Sequence, residues 1–337
     1  MSGPRVVAVL VNWKRSADTL ECLESLLRSD DVRPRAIVCD NDSQDGSLER
    51  IAAWAEGREP AAARSPALAH LTSPPHAKPV PFVRLDRGAA EQGGPEGEAP
   101  PLTLVATGAN LGYAGGNNVA LRGLLRRRDW DYVWLLNNDT VVTPGALRAL
   151  VRRLEERPDA GLCGSTLLHY REDGAVQAYG GASYSRLSGR PVPLQPPCPA
   201  DRDWVEAHTA YVIGASMMAS RRFLETVGLM DESYFLFFEE LDWATRAAGR
   251  FALAWAPESV VYHKGGASTG LFAGAWNAAA ARQLHASQLI YARKHHPHLL
   301  PFVWLRHLLL LLQGVFTLRL DRARAIVSAY RGGPAGG

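Results

Sequence analysis

The chain has 337 residues, 47% of them hydrophobic and 21% charged, with a formal net charge of +3. That much apolar material can bury a sizeable core, which argues against a disordered chain and suits one large α/β domain or one domain plus an appendage. The charge is small and the arginines are dispersed among acids, so composition excludes a protein built around nucleic-acid binding.

The apolar run Val6 to Val11 reads as a buried strand. It runs into Lys14 and Arg15 with no small-residue cleavage site, so it is not read as a signal peptide. A helix is expected over Ala17 to Leu27 and a second strand over Ala36 to Asp40, which makes a βαβ opening. A helix over Ser47 to Ala55 follows. Residues 57–101 are then rich in Pro, Ala and Gly without sustained periodicity, and read as an inserted, partly disordered surface loop. Order resumes with a strand over Leu102 to Ala106, a Gly-rich turn at Gly112 to Gly116, a helix to about Arg127 and a strand over Tyr132 to Leu136. A helix over Pro144 to Glu156 continues the alternation, which predicts a mostly parallel sheet covered on both faces.

Beyond Gly161, strands are expected near Ala175 to Tyr184 and Val205 to Ile213, and a helix over Glu239 to Ala248. The reading divides the chain into a catalytic domain, 1–272, and a C-terminal helical region, 273–337. That region holds helices over Trp276 to His295 and Leu299 to Phe316 and a short terminal one, separated by Pro297 and Gly314. Leu299 to Leu312 is shorter than the roughly 20 residues a spanning helix needs and carries Arg306. Flanked by His295, His296, Arg319, Arg322 and Arg324, this helix suits a membrane interface near a lipid-linked acceptor; the alternative is packing on the domain or across a homodimer. Cys22, Cys39, Cys163 and Cys198 form neither a metal pattern nor a disulfide framework, so the expected location is the cytoplasm, with peripheral contact at the inner face of the cell membrane.

In an open parallel sheet, ligands bind outside the carboxyl ends of the strands. Polar residues follow apolar runs at four such places: Asn12 and Trp13 after Val11; Asp40, Asn41 and Asp42; Asn137, Asn138 and Asp139; and His263. Each Asx cluster alone has an ordinary reading as turn chemistry. Together they suit a nucleotide diphosphate: Asp40 can accept from the N3–H of a pyrimidine, and Asp139 with an Asn137 or Asn138 oxygen can hold a hard divalent cation. Phe238-Glu239-Glu240-Leu241-Asp242 reads either as a first helical turn that suits the helix dipole or as a general base against an aromatic wall. The turn Gly112 to Asn117 offers Gly115, Gly116 and Asn117 for close approach to phosphate.

Five motifs in order carry a resemblance: Val9 to Trp13 with Cys39 to Ser47; Asn110 to Asn117; Leu136 to Asp139; Phe238 to Asp242; and Tyr262 to Gly266. They resemble the family 2 glycosyltransferases of the GT-A fold, and within them the rhamnosyltransferase-type members, from about Val6 to His296. The resemblance implies a Rossmann-like mixed sheet and an inverting transfer from a dTDP- or UDP-sugar to a saccharide, lipid-linked or small-molecule acceptor, in cell-surface polysaccharide or glycoconjugate synthesis, with Mg²⁺ or Mn²⁺ as cofactor. It assigns Val11, Asn12, Trp13, Asp40, Asp42, Gly115, Gly116, Asn117, Asn137 and Asn138 to the nucleotide-sugar, Asp139 and His263 to the metal, and Glu240 to the base, with Glu239 and Asp242 supporting it or touching the acceptor. Two positions depart from the pattern: Asn137 stands where a first metal-binding Asp is frequent, and Glu240 where Asp is usual. The rival classes are a sugar-phosphate nucleotidyltransferase, which calls for a basic Gly-rich loop after the first strand where this chain has Asn12-Trp13-Lys14, and a non-catalytic sugar-nucleotide-binding protein.

Overall fold

The computed structural model of the protein describes residues 3–29, 33–171, 174–186, 188–198, 201–265 and 277–330. Gly266 of the last motif, Trp276 at the start of the expected C-terminal helix and the 272/273 boundary lie outside these residues.

The first half runs β1 (Val6–Asn12), α1 (Ser16–Leu26), β2 (Arg35–Asp40), α2 (Ser47–Ala55), β3 (Phe82–Asp86), α3 (Arg87–Glu91), β4 (Leu102–Ala106), α4 (Gly112–Arg126) and β5 (Tyr132–Leu136). These five strands pair in parallel in the order β3-β4-β2-β1-β5. Residues 6–10 of β1 are buried, as a continuous apolar run requires when helices cover both faces. One face is closed by Leu23 of α1, Trp54 of α2 and Leu104 of β4, and the opposite face by Leu121 and Leu124 of α4. Each such side chain contributes about 1.5–3 kcal/mol when fully buried.

The second half adds β6 (Thr140–Val142), α5 (Ala146–Glu156), β7 (Ala160–His169), β8 (Val176–Tyr179), β9 (Gly181–Ser185), β10 (Arg190–Pro193), α6 (Arg202–His208), β11 (Tyr211–Val212), β12 (Ser216–Ser220), α7 (Arg221–Val227), α8 (Glu239–Ala247) and β13 (Ala252–His263). β12 joins β5 to β7 antiparallel to both, β13 follows parallel to β7, β6 closes the edge antiparallel to β13, and β8 pairs with β7. The sheet is therefore mixed. β9, β10 and β11 form a separate small sheet.

Four expectations are corrected. The insertion carries a 3₁₀ turn at Pro66–Leu71, the edge strand β3 and α3, so it is an ordered layer and not a partly disordered loop. Its helical turn packs Leu68 and Leu71 against Val141, and β3 extends the sheet. The strand expected over Ala175 to Tyr184 is split by Gly180, whose φ of +72° breaks the ladder between β8 and β9. The strand expected over Val205 to Ile213 begins inside α6, which runs to His208 and is capped by the Asp201 carboxylate accepting from the Trp204 N–H; only Tyr211–Val212 is extended.

The fourth correction concerns the C-terminal helices, α9 (Ala278–His295), α10 (Leu300–Phe316) and α11 (Leu320–Tyr330). Gly314 lies inside α10, where Ala323 packs close, and the break comes at Thr317 to Arg319 around Leu318 at φ +55°. With its leading turn this helix runs from Pro297 to Phe316, 20 residues, which meets the length and composition of a membrane span that the shorter Leu299 to Leu312 stretch did not.

Candidate active site

The carboxyl ends of β1, β2 and β5 meet in a buried polar knot. Asn12 Nδ2 donates to Asp40 Oδ2 at 2.6 Å, while Asn12 Oδ1 accepts from Thr19 Oγ1 at 2.7 Å and from Asn138 Nδ2 at 3.3 Å. Ser43 completes the turn, its N–H donating to Asp40 Oδ1 and its hydroxyl to Asp40 Oδ2. Asp40 is thus fixed in orientation by three donors, at the rim of a cleft lined also by Asp42, Gln44, Ser47, Thr107 and Gly108. Asp42, at φ +57°, is half-buried and accepts from Gln44 Nε2. Trp13 is exposed under the Lys14 ammonium, and Val11 is half-buried beside it.

A second group gathers where β5 turns into β6 and β13 ends. His263 Nε2 lies 3.3 Å from Asp139 Oδ1 and 3.4 Å from Asn137 Nδ2. Two neighbouring ligands about 2.0–2.1 Å from an octahedral cation lie about 3 Å apart, so Asp139 and His263 are spaced to share one. Among the described residues no group of three or more His, Cys, Asp and Glu side chains gathers to hold a metal. The donor set therefore fits a cation completed by other oxygens, such as those of a diphosphate, and not one caged by protein alone. Burial pushes the Asp139 carboxyl up, but the hydrogen bond and charge of His263 and the charge of Lys264 outweigh it and hold the group below its ordinary value.

Gln177, on β8, was not read from the sequence. Its Oε1 accepts from His263 Nδ1 at 2.8 Å, which turns Nε2 toward Asp139. Replacing Gln177 with Leu removes that acceptor, and divalent-cation affinity measured by calorimetry is expected to fall about 10- to 100-fold.

Lys264 ties this corner to α1. Its backbone N–H donates to the Asp139 carbonyl, and its ammonium lies 2.6 Å from both Asp18 Oδ1 and Glu21 Oε2. Both carboxylates are buried. The insertion supplies further partners: the Arg64 N–H donates to Glu21 Oε1, and Arg64 lies 3.5 Å from Asp18.

The acidic cluster opens α8 on the same edge. Asn137 N–H donates to the Ala215 carbonyl, and the N–H of adjacent Gly214 donates to Glu240 Oε1 at 3.1 Å. The Tyr113 hydroxyl donates to the Gly214 carbonyl at 2.7 Å, so one turn joins the end of β5 to the base candidate. Burial, reinforced by the charge of Glu240, drives the Glu239 carboxyl well above its ordinary value; burial also raises Glu240. Glu239 Oε2 is buried with no hydrogen-bond partner, as suits a neutral acid beside an ionisable Glu240. Asp242 is committed elsewhere: it accepts from Arg246 Nε at 2.7 Å, its other oxygen lies 2.7 Å from His295 Nε2, and it is 1% exposed.

Phe237 and Phe238 precede these acids at φ +68° and +73°. Left-handed backbone at such residues costs about 1–3 kcal/mol each, and persists where surroundings over-determine it. Here Phe238 packs against Tyr184 and Tyr291, and Ser287 Oγ of α9 donates to the Leu236 carbonyl at 2.8 Å.

The Gly-rich turn acts through packing. A Cβ at Gly112, φ +70°, would sit 2.1 Å from the Phe235 carbonyl oxygen, so only glycine lets the loop before the acids dock on α4. Gly116 is pressed against Val11 and Asn41, Gly115 against Leu111, and Asn117 is 1% exposed with its amide on the Tyr113 carbonyl. Of Gly115, Gly116 and Asn117, expected to touch the nucleotide-sugar, Gly116 is buried in a contact between α4 and the ends of β1 and β2, whereas Gly115 and Asn117 are buried in contacts within the first turns of α4 itself. Their spacing before a helix gave no means of separating the two roles.

No protein-family model matches the chain. It is 26% identical over 216 residues to an N-acetylglucosaminyl-diphospho-decaprenol L-rhamnosyltransferase of Mycobacterium tuberculosis, covering 57% of this chain and 69% of that protein. It is 25% identical over 146 residues to the low-salt glycan biosynthesis hexosyltransferase Agl10 of Haloferax volcanii, covering 43% of this chain and 46% of that one. A mannosyltransferase from Pyrobaculum calidifontis, solved with GDP-Man and Mn²⁺, superposes with a TM-score of 0.51 at 16% identity over 97% of this chain and 86% of that one. GalNAc-T7, solved with UDP, GalNAc and Mn²⁺, does so with 0.52 at 12% identity over 84% and 47%. Fold, polar sheet edge and relatives together define a glycosyltransferase of GT-A architecture. Within that class the chain is similar to the family 2, rhamnosyltransferase-like enzymes.

Proposed function

We propose that the protein is an inverting, cation-dependent transferase that moves rhamnose or another hexose from a dTDP- or UDP-linked donor to an acceptor hydroxyl. The observation that carries this reading is the single turn, Gly214 to Ala215, that sets Glu240 beside the strand end bearing Asn137 and Asp139. Asp40 would receive the pyrimidine N3–H, with Asp42 at the same cleft. Asp139, His263 and the Asn137 amide would hold Mg²⁺ or Mn²⁺, which would neutralise the diphosphate. Glu240 takes the proton of the acceptor hydroxyl; the oxygen forms the new bond to the anomeric carbon, and the bond to the diphosphate breaks on the opposite face, its electron pair leaving with the nucleotide. One displacement inverts the configuration. Glu239, kept neutral, leaves Glu240 as the carboxylate of the pair. The Mycobacterium relative's acceptor, a saccharide on a diphospho-decaprenol, favours a lipid-linked saccharide here, as in glycoconjugate assembly at the inner face of the cell membrane.

Calorimetric titration with dTDP, UDP and GDP, with and without Mg²⁺ or Mn²⁺, tests the donor half. Metal-promoted binding of a pyrimidine diphosphate above GDP is expected; no binding of any of the three overturns the reading. The nucleotidyltransferase alternative is disfavoured by Asn12, Trp13 and Lys14 after β1, and transfer of sugar from a bound donor separates catalysis from mere binding.

A further inference from the structure

α10 has two unlike faces. One is tied into the protein: Arg306 donates to Gln288 Oε1 at 2.9 Å, His307 lies 3.1 Å from His285 and 2.9 Å from the Tyr330 hydroxyl, and Val303 and Gly314 are buried. The other carries Phe302, Leu305, Leu309, Leu312 and Phe316, spaced three and four residues apart as one continuous stripe. Leu305 is 54%, Leu309 58% and Phe316 83% exposed. Contiguous exposed apolar surface of this kind marks a binding face.

Charge is segregated onto the same unit. From Asn277 onward the chain holds eight of its 37 Lys and Arg and, in Asp321, one of its 34 acids, so this segment carries a formal +7 and the rest of the chain −4. The dispersal of arginines among acids noted above therefore holds for the catalytic domain and fails for the C-terminal helices. Arg319 and Arg324 are exposed at the end of the apolar stripe.

We infer that the outer face of α10 seats the protein on an anionic lipid bilayer, lying in the interface with the arginines on the headgroups. The charge selects this occupant: a second copy would bring two units of +7 together, whereas acidic phospholipid neutralises them. The inner face selects lying over spanning, because moving α10 into a bilayer would strip His307 and Gln288 of their partners. The inference rests on the transferase reading only in making the surface the place where a lipid-linked acceptor is met; the docking itself does not depend on it.

The test is co-sedimentation of the full chain with vesicles of phosphatidylcholine alone and of phosphatidylcholine mixed equally with phosphatidylglycerol. Binding to the mixed vesicles is expected, weakening about fivefold for each arginine in Arg319→Gln and Arg324→Gln, since each contributes about 1 kcal/mol at such a surface. Leu305→Glu/Leu309→Glu should abolish it while circular dichroism and nucleotide binding match the wild type. No binding to mixed vesicles, or binding indifferent to the double Glu variant, overturns the inference. So does a lipid-free dimer, seen by light scattering, that the double variant dissociates. Failure of nucleotide binding with vesicle binding intact would overturn the transferase reading alone.

Discussion

Glu240→Gln is expected to lower sugar transfer by about 10²- to 10⁴-fold, the usual contribution of a positioned general base, while the dissociation constant for dTDP or UDP stays that of the wild type. The amide keeps the size of the side chain and can still meet the Gly214 N–H through its oxygen, so a loss of rate reports the missing proton acceptor and not a collapsed turn. Transfer at near wild-type rate in the variant would assign the base elsewhere. The wild-type rate should fall as pH drops through the pKa of Glu240, and burial places that limb above the range of a free glutamate. Stability runs the other way. Carboxyls whose folded pKa is raised contribute stability that is present at acid pH and is lost as pH rises through the raised values. The Gln variant has no proton to lose at this position and no charge to oppose Glu239, so its Tm at neutral pH should exceed that of the wild type while its activity is gone. That opposition of signs marks a group retained for chemistry.

Asp139→Ala should remove the metal-promoted part of nucleotide-diphosphate binding, a loss above about 100-fold, since a direct ligand matters more than an outer partner such as Gln177. Calorimetry with Mn²⁺ and dTDP or UDP measures it, and metal-promoted affinity surviving in the variant would rule out Asp139 as a ligand. Stability is linked here in the opposite sense to Glu240. The Asp139 carboxyl is held low in the folded state, so its contribution is present above the unfolded carboxyl value and is lost as pH falls through the folded one. Asp139→Asn, which preserves volume, is the companion variant: it should lose metal-promoted binding and also that acid-sensitive increment of stability.

The positions where polar residues end apolar runs were legible in the sequence, because a strand's length and burial are written in its local apolar pattern. Asn12, Asp40, Asn138 and Asp139 stand at strand ends, and His263 closes β13. The order of five motifs supplied the class of enzyme. Less legible was the insertion, whose Pro and Gly content masks β3 and the 3₁₀ turn that packs Leu68 and Leu71 near the cation corner. Gly115 and Gly116 illustrate a different limit: glycine before a helix serves a ligand or a close packing contact equally well, and Val11 and Asn41 pressed on Gly116 show the packing role.

By itself, then, the sequence determined the alternation of strands and helices, the polar edge and the apolar C-terminal helix, since all are local patterns of residue type. The tertiary structure alone decided which of those groups act together. Gln177 reaches His263 across 86 residues, Lys264 reaches Asp18 across 246, and α1 buries acids that periodicity would leave in water because the insertion and Lys264 cover them. Asp242 is paired with Arg246 and with His295 of α9, while Glu240 meets the Gly214 N–H beside the end of β5. Partners so distant in the chain leave no periodic trace, so their pairing depends on how the layers pack.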